Sequence, residues 1–99
     1  MQNLFDIKGK TALVTGGSRG IGLMIARGLV MNGAKVYLVS RKAEAVAQAE
    51  EELRAHGEAI GITADLTVAT DVQAVAAELA AHEERLHILV NNAGATWGA

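Results

Sequence analysis

Cysteine is absent from this chain of 99 residues, which excludes disulfides and thiolate chemistry. That absence suits a reducing compartment, and a cytoplasmic protein is the expectation. Aromatic residues are scarce at 3%, so Ala, Val, Leu and Ile carry the apolar load, as they do in parallel sheets covered by helices. Neither sign of charge dominates, because the formal net charge is −2. A chain without a basic field or an acidic run is not expected to take nucleic acid as a partner. No uninterrupted apolar run approaches the length of a membrane span. Near the start, Asp6, Lys8 and Lys10 interrupt the chain before the apolar core of a signal peptide could form. No membrane partner is expected either.

Hydrophobic residues nonetheless make up 51%, which argues for a packed domain and against disorder. Short β-branched runs alternate with longer helical stretches. Thr11 to Thr15 reads as a first strand and is followed by a glycine-rich turn from Gly16 to Gly22. Ile21, Ile25 and Leu29, with Met24 beside them, recur at the spacing of one helix face. Asn32-Gly33 ends that helix, since both residues tolerate the left-handed conformation. Lys35 to Val39 is the second strand. Ser40 is placed to cap the next helix, in which Val46 and Leu53 face inward and which Gly57 stops. Ala59 to Thr63 is the third strand. Thr70 and Gln73 form the pattern of a capping box for a third helix, with Val72, Val75, Ala76 and Leu79 inward. Leu86 to Val90 is the fourth strand.

This alternation predicts an α/β fold: a doubly wound parallel sheet of the Rossmann type, with strand order 3-2-1-4 and helices on both faces. A ligand crevice is expected outside the carboxyl ends of strands 1 and 4, where the order reverses. Gly16, Gly20 and Gly22 lie at that place. Glycine admits backbone angles closed to other residues and lets amides approach a phosphate, which the helix N-terminus favours. The spacing is not that of a P-loop, because Leu23 and Met24 follow Gly22 where a lysine and a hydroxyl residue would stand.

The end of strand 2 selects between nicotinamide cofactors. A carboxylate there would bond the free 2′-hydroxyl of NAD and repel the 2′-phosphate of NADP. This chain has Ser40-Arg41-Lys42, and no carboxylate until Glu44. Arg41 can meet a phosphate with its planar donor fork, and Arg19 can approach the same group from the glycine loop. NADP(H) is therefore the expected cofactor.

These residues resemble the short-chain dehydrogenase/reductases. Thr15-Gly16-Gly17-Ser18-Arg19-Gly20-Ile21-Gly22 is similar to their T-G-x-x-x-G-x-G loop, Asp65-Leu66 to their acidic position after strand 3, and Asn91-Asn92-Ala93-Gly94 to their N-N-A-G motif. The resemblance implies that Gly16, Gly20 and Gly22 shape a pyrophosphate pocket lined by Ser18 and Ile21. It implies that Arg19 and Arg41 hold the 2′-phosphate and that Asp65 and Leu66 bracket the adenine. Asn92, Ala93 and Gly94 would border the ribose, with Asn91 partly tying strands together. It further implies hydride transfer between the nicotinamide and a small-molecule carbonyl or alcohol, and a homo-oligomer, dimer or tetramer, at full length. Thr96-Trp97-Gly98 and the general character of the chain resemble members of the 3-oxoacyl-carrier-protein reductase kind.

In that family the catalytic serine and the Tyr-x-x-x-Lys pair lie beyond N-N-A-G. Residues 1–99 are thus expected to be the dinucleotide-binding part of a single-domain enzyme, inactive alone, with no catalytic residue assigned. The alternative is a nucleotide-binding module without chemistry, or an inactive truncated form. Tyr37, with Arg41 four residues on, imitates the catalytic pair. As a mid-strand residue it should instead face a covering helix. His82-Glu83 and His87 are one residue too widely spaced for a zinc-protease helix, since five residues turn a helix face by about 140°. They read as exposed histidines, and no metal site is expected. Glu50, Glu51 and Glu52 read as the solvated face of the second helix.

Overall fold

The computed structural model describes residues 6–16 and 18–92. Seven elements alternate along the chain: β1 (Thr11–Thr15), α1 (Gly20–Met31), β2 (Lys35–Ser40), α2 (Ala43–Arg54), β3 (Ala59–Thr63), α3 (Ala69–His82) and β4 (Ile88–Asn91). The strands form one sheet in the order β3-β2-β1-β4. All three pairings are parallel, with Thr15 opposite Val39 on one side and opposite Asn91 on the other. This is the doubly wound arrangement expected of the pattern.

Side-chain alternation along the strands divides the apolar residues between two faces. Ala12, Val14, Val36 and Leu38 meet Ala26 and Val30 of α1 and Val46, Ala49 and Leu53 of α2. Leu13, Tyr37, Val39 and Ile62 meet Val75 of α3 on the other face. Tyr37 is 2% exposed there, within the α3-covered face as expected.

Four local expectations are corrected. The inward stripe of α1 is Gly22, Ala26 and Val30, whereas Ile21 and Met24 are exposed. Gly22 approaches the Gly16 carbonyl so closely that a Cβ would lie 2.1 Å from its oxygen. That contact sets the helix rotation and turns the Ile21 edge to solvent. Ser40 does not cap α2: it ends β2, and Lys42 precedes the helix without a side-chain cap. The Thr70–Gln73 box does not form either, because α3 already begins at Ala69 and Thr70 lies inside its first turn. Of the four α3 residues expected inward, Val75 is buried and Leu79 packs beside it, but Val72 and Ala76 are exposed. Among the described residues α3 alone covers its face, so its flanks find no neighbour.

β4 starts two residues later than expected, at Ile88. His87 still pairs with β1: its amide donates to the Thr11 carbonyl at 2.9 Å, and its Nδ1 accepts from the Thr11 amide at 3.0 Å. The His87 ring is exposed but partnered, and its bond to β1 was not legible from spacing.

Candidate functional site

The carboxyl ends of the four strands place Thr15, Ser40, Thr63 and Asn91 at one end of the sheet. Chain reversal begins at Gly16, which has φ of 67° and donates its amide to the Val39 carbonyl at 2.7 Å. Gly20 opens α1 with φ of 60°. Both angles lie in the left-handed region that side chains disfavour. Gly22 answers a different demand, since it has an ordinary φ but no room for a side chain. A Cβ there would meet the Gly16 carbonyl and would lie 2.9 Å from Asn92 Nδ2. Gly16, Gly22 and Asn92 therefore meet at the seam between β1 and β4.

Thr15 binds that seam. Its hydroxyl accepts from the Asn92 amide at 3.0 Å, and its one proton is shared between Asn91 Oδ1 at 3.0 Å and the Val90 carbonyl at 3.3 Å. Asn91 thus ties strands together as the resemblance implied. The part played by Thr15 was not foreseen; its place directly before Gly16 was the available signal.

On the other side of the turn, the Ser18 hydroxyl donates to Ser40 Oγ at 3.0 Å. This bond joins the glycine loop to the end of β2. It places Arg19 and Arg41 each one residue from the same joint, and both are exposed. The first turn of α1 holds no acidic residue, and no side chain caps it. The leading amides of a helix have no partners within the helix, so this end presents donors and partial positive charge.

Asp65 stands after β3. Its carboxylate accepts from the Thr67 hydroxyl at 2.6 Å and the Thr67 amide at 2.9 Å. Those bonds hold its pKa below the usual carboxylate value, and the positive charge of Arg41 adds to the effect. The Asp65 amide donates to the Asp71 carboxylate at 2.7 Å, so α3 fixes this loop. Leu66 is half-buried against the α3 face, and Ile21 is 67% exposed. Ala93 and Gly94 lie outside the described residues.

An open depression of about 630 Å³ lies at the opposite end of the sheet beside Thr11, Leu79 and Leu86. Its inward polar group, Glu83, is already engaged by Tyr37, Thr11 and Lys35.

A parallel doubly wound sheet with a glycine turn at its reversal point defines a Rossmann-type α/β protein. The chain belongs to the short chain dehydrogenase family, whose pattern it matches over residues 10–99. It is 48% identical over its whole length to the rhamnolipids biosynthesis 3-oxoacyl-[acyl-carrier-protein] reductase of Pseudomonas aeruginosa, covering 39% of that protein. It is 41% identical over 92 residues, 93% of the chain, to the short-chain dehydrogenase/reductase VdtF of Byssochlamys spectabilis, covering 30% of it. Among solved structures, it is similar to the Pseudomonas aeruginosa RhlG/NADP active-site complex, at 47% identity and TM-score 0.85, over 93% of this chain and 37% of that one. It is also similar to L-sorbose reductase from Gluconobacter frateurii complexed with NADPH and L-sorbose, at 35% identity and TM-score 0.86, over 91% of this chain and 35% of that one. The chain thus spans two fifths or less of the length of these relatives.

Proposed function

We propose that residues 1–99 supply the NADP(H)-binding part of a single-domain short-chain reductase that interconverts a carbonyl and an alcohol. The observation that carries this reading is the Ser18–Ser40 bond at 3.0 Å, which joins the loop bearing Arg19 to the strand end bearing Arg41. Around that joint no carboxylate stands in the first turn of α1 or in the Ser40-Arg41-Lys42 stretch. Uncapped amides and two guanidinium groups fit a dinucleotide with an extra phosphate on its adenosine. The carboxylate that would accept from the 2′-hydroxyl of NAD is missing from the same stretch.

Gly16, Gly20 and Gly22 keep side chains out of the way of the pyrophosphate, and the α1 amides bind it. Arg19 and Arg41 hold the 2′-phosphate; Ser18 and Ile21 line the pocket. Asp65 and Leu66 border the adenine, and Asn92 borders the nicotinamide-side ribose, with Ala93 and Gly94 assigned to the same border. When bound, NADPH supplies the hydride. Proton transfer is assigned to the region that follows this chain's match in its longer relatives. Substrates are small carbonyl compounds. The 3-oxoacyl class is favoured by the 48% identity to a reductase of that name. Homo-oligomeric assembly of the full-length enzyme belongs to the same proposal.

The test is calorimetric titration of the folded full-length protein with NADPH and with NADH. Saturable binding that is tighter for NADPH is expected. A folded protein that takes up neither would overturn the reading.

A further inference from the structure

Among the described residues β3 is an outer strand of the sheet, with β2 on one side and no strand on the other. Its backbone bonds alternate between the two sides. The Glu58 carbonyl accepts from the Val36 amide, and the Ala64 amide donates to the Ser40 carbonyl. Even-numbered residues therefore face β2, and the amides and carbonyls of Ala59, Gly61 and Thr63 face the free edge. Such an edge is a template for strand addition by another chain.

Two consecutive groups of that edge are already taken. The Gly61 amide donates to Glu50 Oε2 at 2.7 Å. The Ala59 carbonyl accepts from Arg54 Nε at 2.9 Å. These are the groups that a single residue of an incoming parallel strand would use, its carbonyl accepting from Gly61 and its amide donating to Ala59. Arg54 stands in for that amide and Glu50 for that carbonyl. The two side chains are one helical turn apart, and their charged ends lie 3.5 Å from each other, in the favourable Glu-before-Arg order.

Gly61 makes the arrangement possible. A Cβ there would lie 2.6 Å from Val46 Cγ1 and 3.4 Å from Glu50 Cβ. Only glycine lets α2 lie low enough for a Glu50 carboxylate to reach a strand amide.

We infer that the Glu50–Arg54 pair seals the β3 edge against strand addition by a second copy of this chain. Glu50 is thereby separated from Glu51, which remains a solvated residue of the same acidic run. The test uses full-length protein carrying Glu50→Ala with Arg54→Ala. Both positions are on the helix surface, alanine is the strongest helix former, and the net charge is unaltered. Measured at high dilution, exchange of the Gly61 amide should speed at least tenfold. Light scattering should then show association that rises with protein concentration, while Glu51→Ala behaves as wild type. Glu50→Gln keeps an acceptor oxygen and should retain most of the Gly61 protection. Unchanged Gly61 exchange in the double variant would overturn the inference. So would lost protection without association, association equal to that of Glu51→Ala, or a Glu50→Gln loss as large as that of alanine.

Discussion

The hydroxyls of Ser18 and Ser40 meet at 3.0 Å across the gap between the glycine loop and the end of β2. Ser40 is itself held, since its carbonyl accepts from the Ala64 amide at 2.9 Å. The loop is thus tied to the sheet at a point flanked by two arginines. Removing the tie should loosen Arg19 relative to Arg41 without touching either charge. A neutral hydrogen bond contributes about 0.5–1.5 kcal/mol, so Ser40→Ala should weaken NADPH binding by roughly two- to tenfold. NADH binding should change little. Dissociation constants for both cofactors check this, and an equal loss for both would show that the tie does not serve the phosphate.

Arg41 is exposed, and among the described residues its fork is engaged by no ion pair, with only the charge of Asp65 nearby. A charge-assisted hydrogen bond is worth about 1.5–3 kcal/mol. Arg41→Asp removes that contribution and adds repulsion, so NADPH affinity should fall at least a hundredfold. NADH, which lacks the 2′-phosphate, should be spared or improved. Paired titrations of the variant decide the matter, and parallel losses for the two cofactors would remove Arg41 from the phosphate site.

Two glycines of one turn should respond differently to alanine. At Gly20 the added methyl meets nothing within 4 Å, so only the φ of 60° resists it, at about 1–2 kcal/mol. At Gly22 the methyl would lie 2.1 Å from a backbone oxygen, and neither α1 nor the turn can yield without disturbing the seam with Asn92. Gly22→Ala should therefore cost more stability than Gly20→Ala and should abolish cofactor binding. Urea denaturation with NADPH titration of both variants tests the order, and equal effects would contradict it.

Much of this was legible in the sequence because strand placement follows from composition runs. β1 and β3 have the expected bounds, β2 extends one residue further, and the order 3-2-1-4 follows from the right-handed crossovers. What escaped was rotation and capping. The periodicity of Ile21, Ile25 and Leu29 was right in part, since Leu29 packs against the core, but Ile21 and Met24 are exposed and the buried line is Gly22, Ala26 and Val30, because the helix is oriented by a backbone contact at Gly22, which hydropathy does not register. Ser40 and Thr70 had the chemistry of caps, but a hydroxyl partner across the fold claims one and an earlier helix start displaces the other. The role of Thr15 and the edge contacts of Glu50 depend on long-range neighbours that no local pattern encodes.

At the far end of the sheet, Glu83 gathers Tyr37, Thr11 and Lys35. Its carboxylate accepts from the Tyr37 hydroxyl at 2.7 Å and the Thr11 hydroxyl at 3.2 Å, and it pairs with the Lys35 ammonium at 2.5 Å. The bond to Lys35, then that to Tyr37, holds the Glu83 carboxyl below its ordinary pKa. Because the folded value is depressed, this contribution to stability is complete above the ordinary glutamate range. It is lost as pH falls through the folded value. Lys35 and Tyr37 move the other way: the bond to Glu83 raises Lys35, and burial followed by the bond to Glu83 raises Tyr37. Their contributions are complete below their ordinary values and are lost as pH rises through the raised ones. The cluster should therefore stabilise the fold across neutral pH and weaken on both sides. Glu83→Ala leaves the phenol of Tyr37, a residue only 2% exposed, without its acceptor, at a cost of about 1–3 kcal/mol. Urea denaturation of the full-length protein from acid to neutral pH should show that loss near pH 7. It should also show a shallower decline toward acid in the variant than in the wild type. An unchanged acid limb would mean that Glu83 is not the group whose protonation loosens α3 from the sheet.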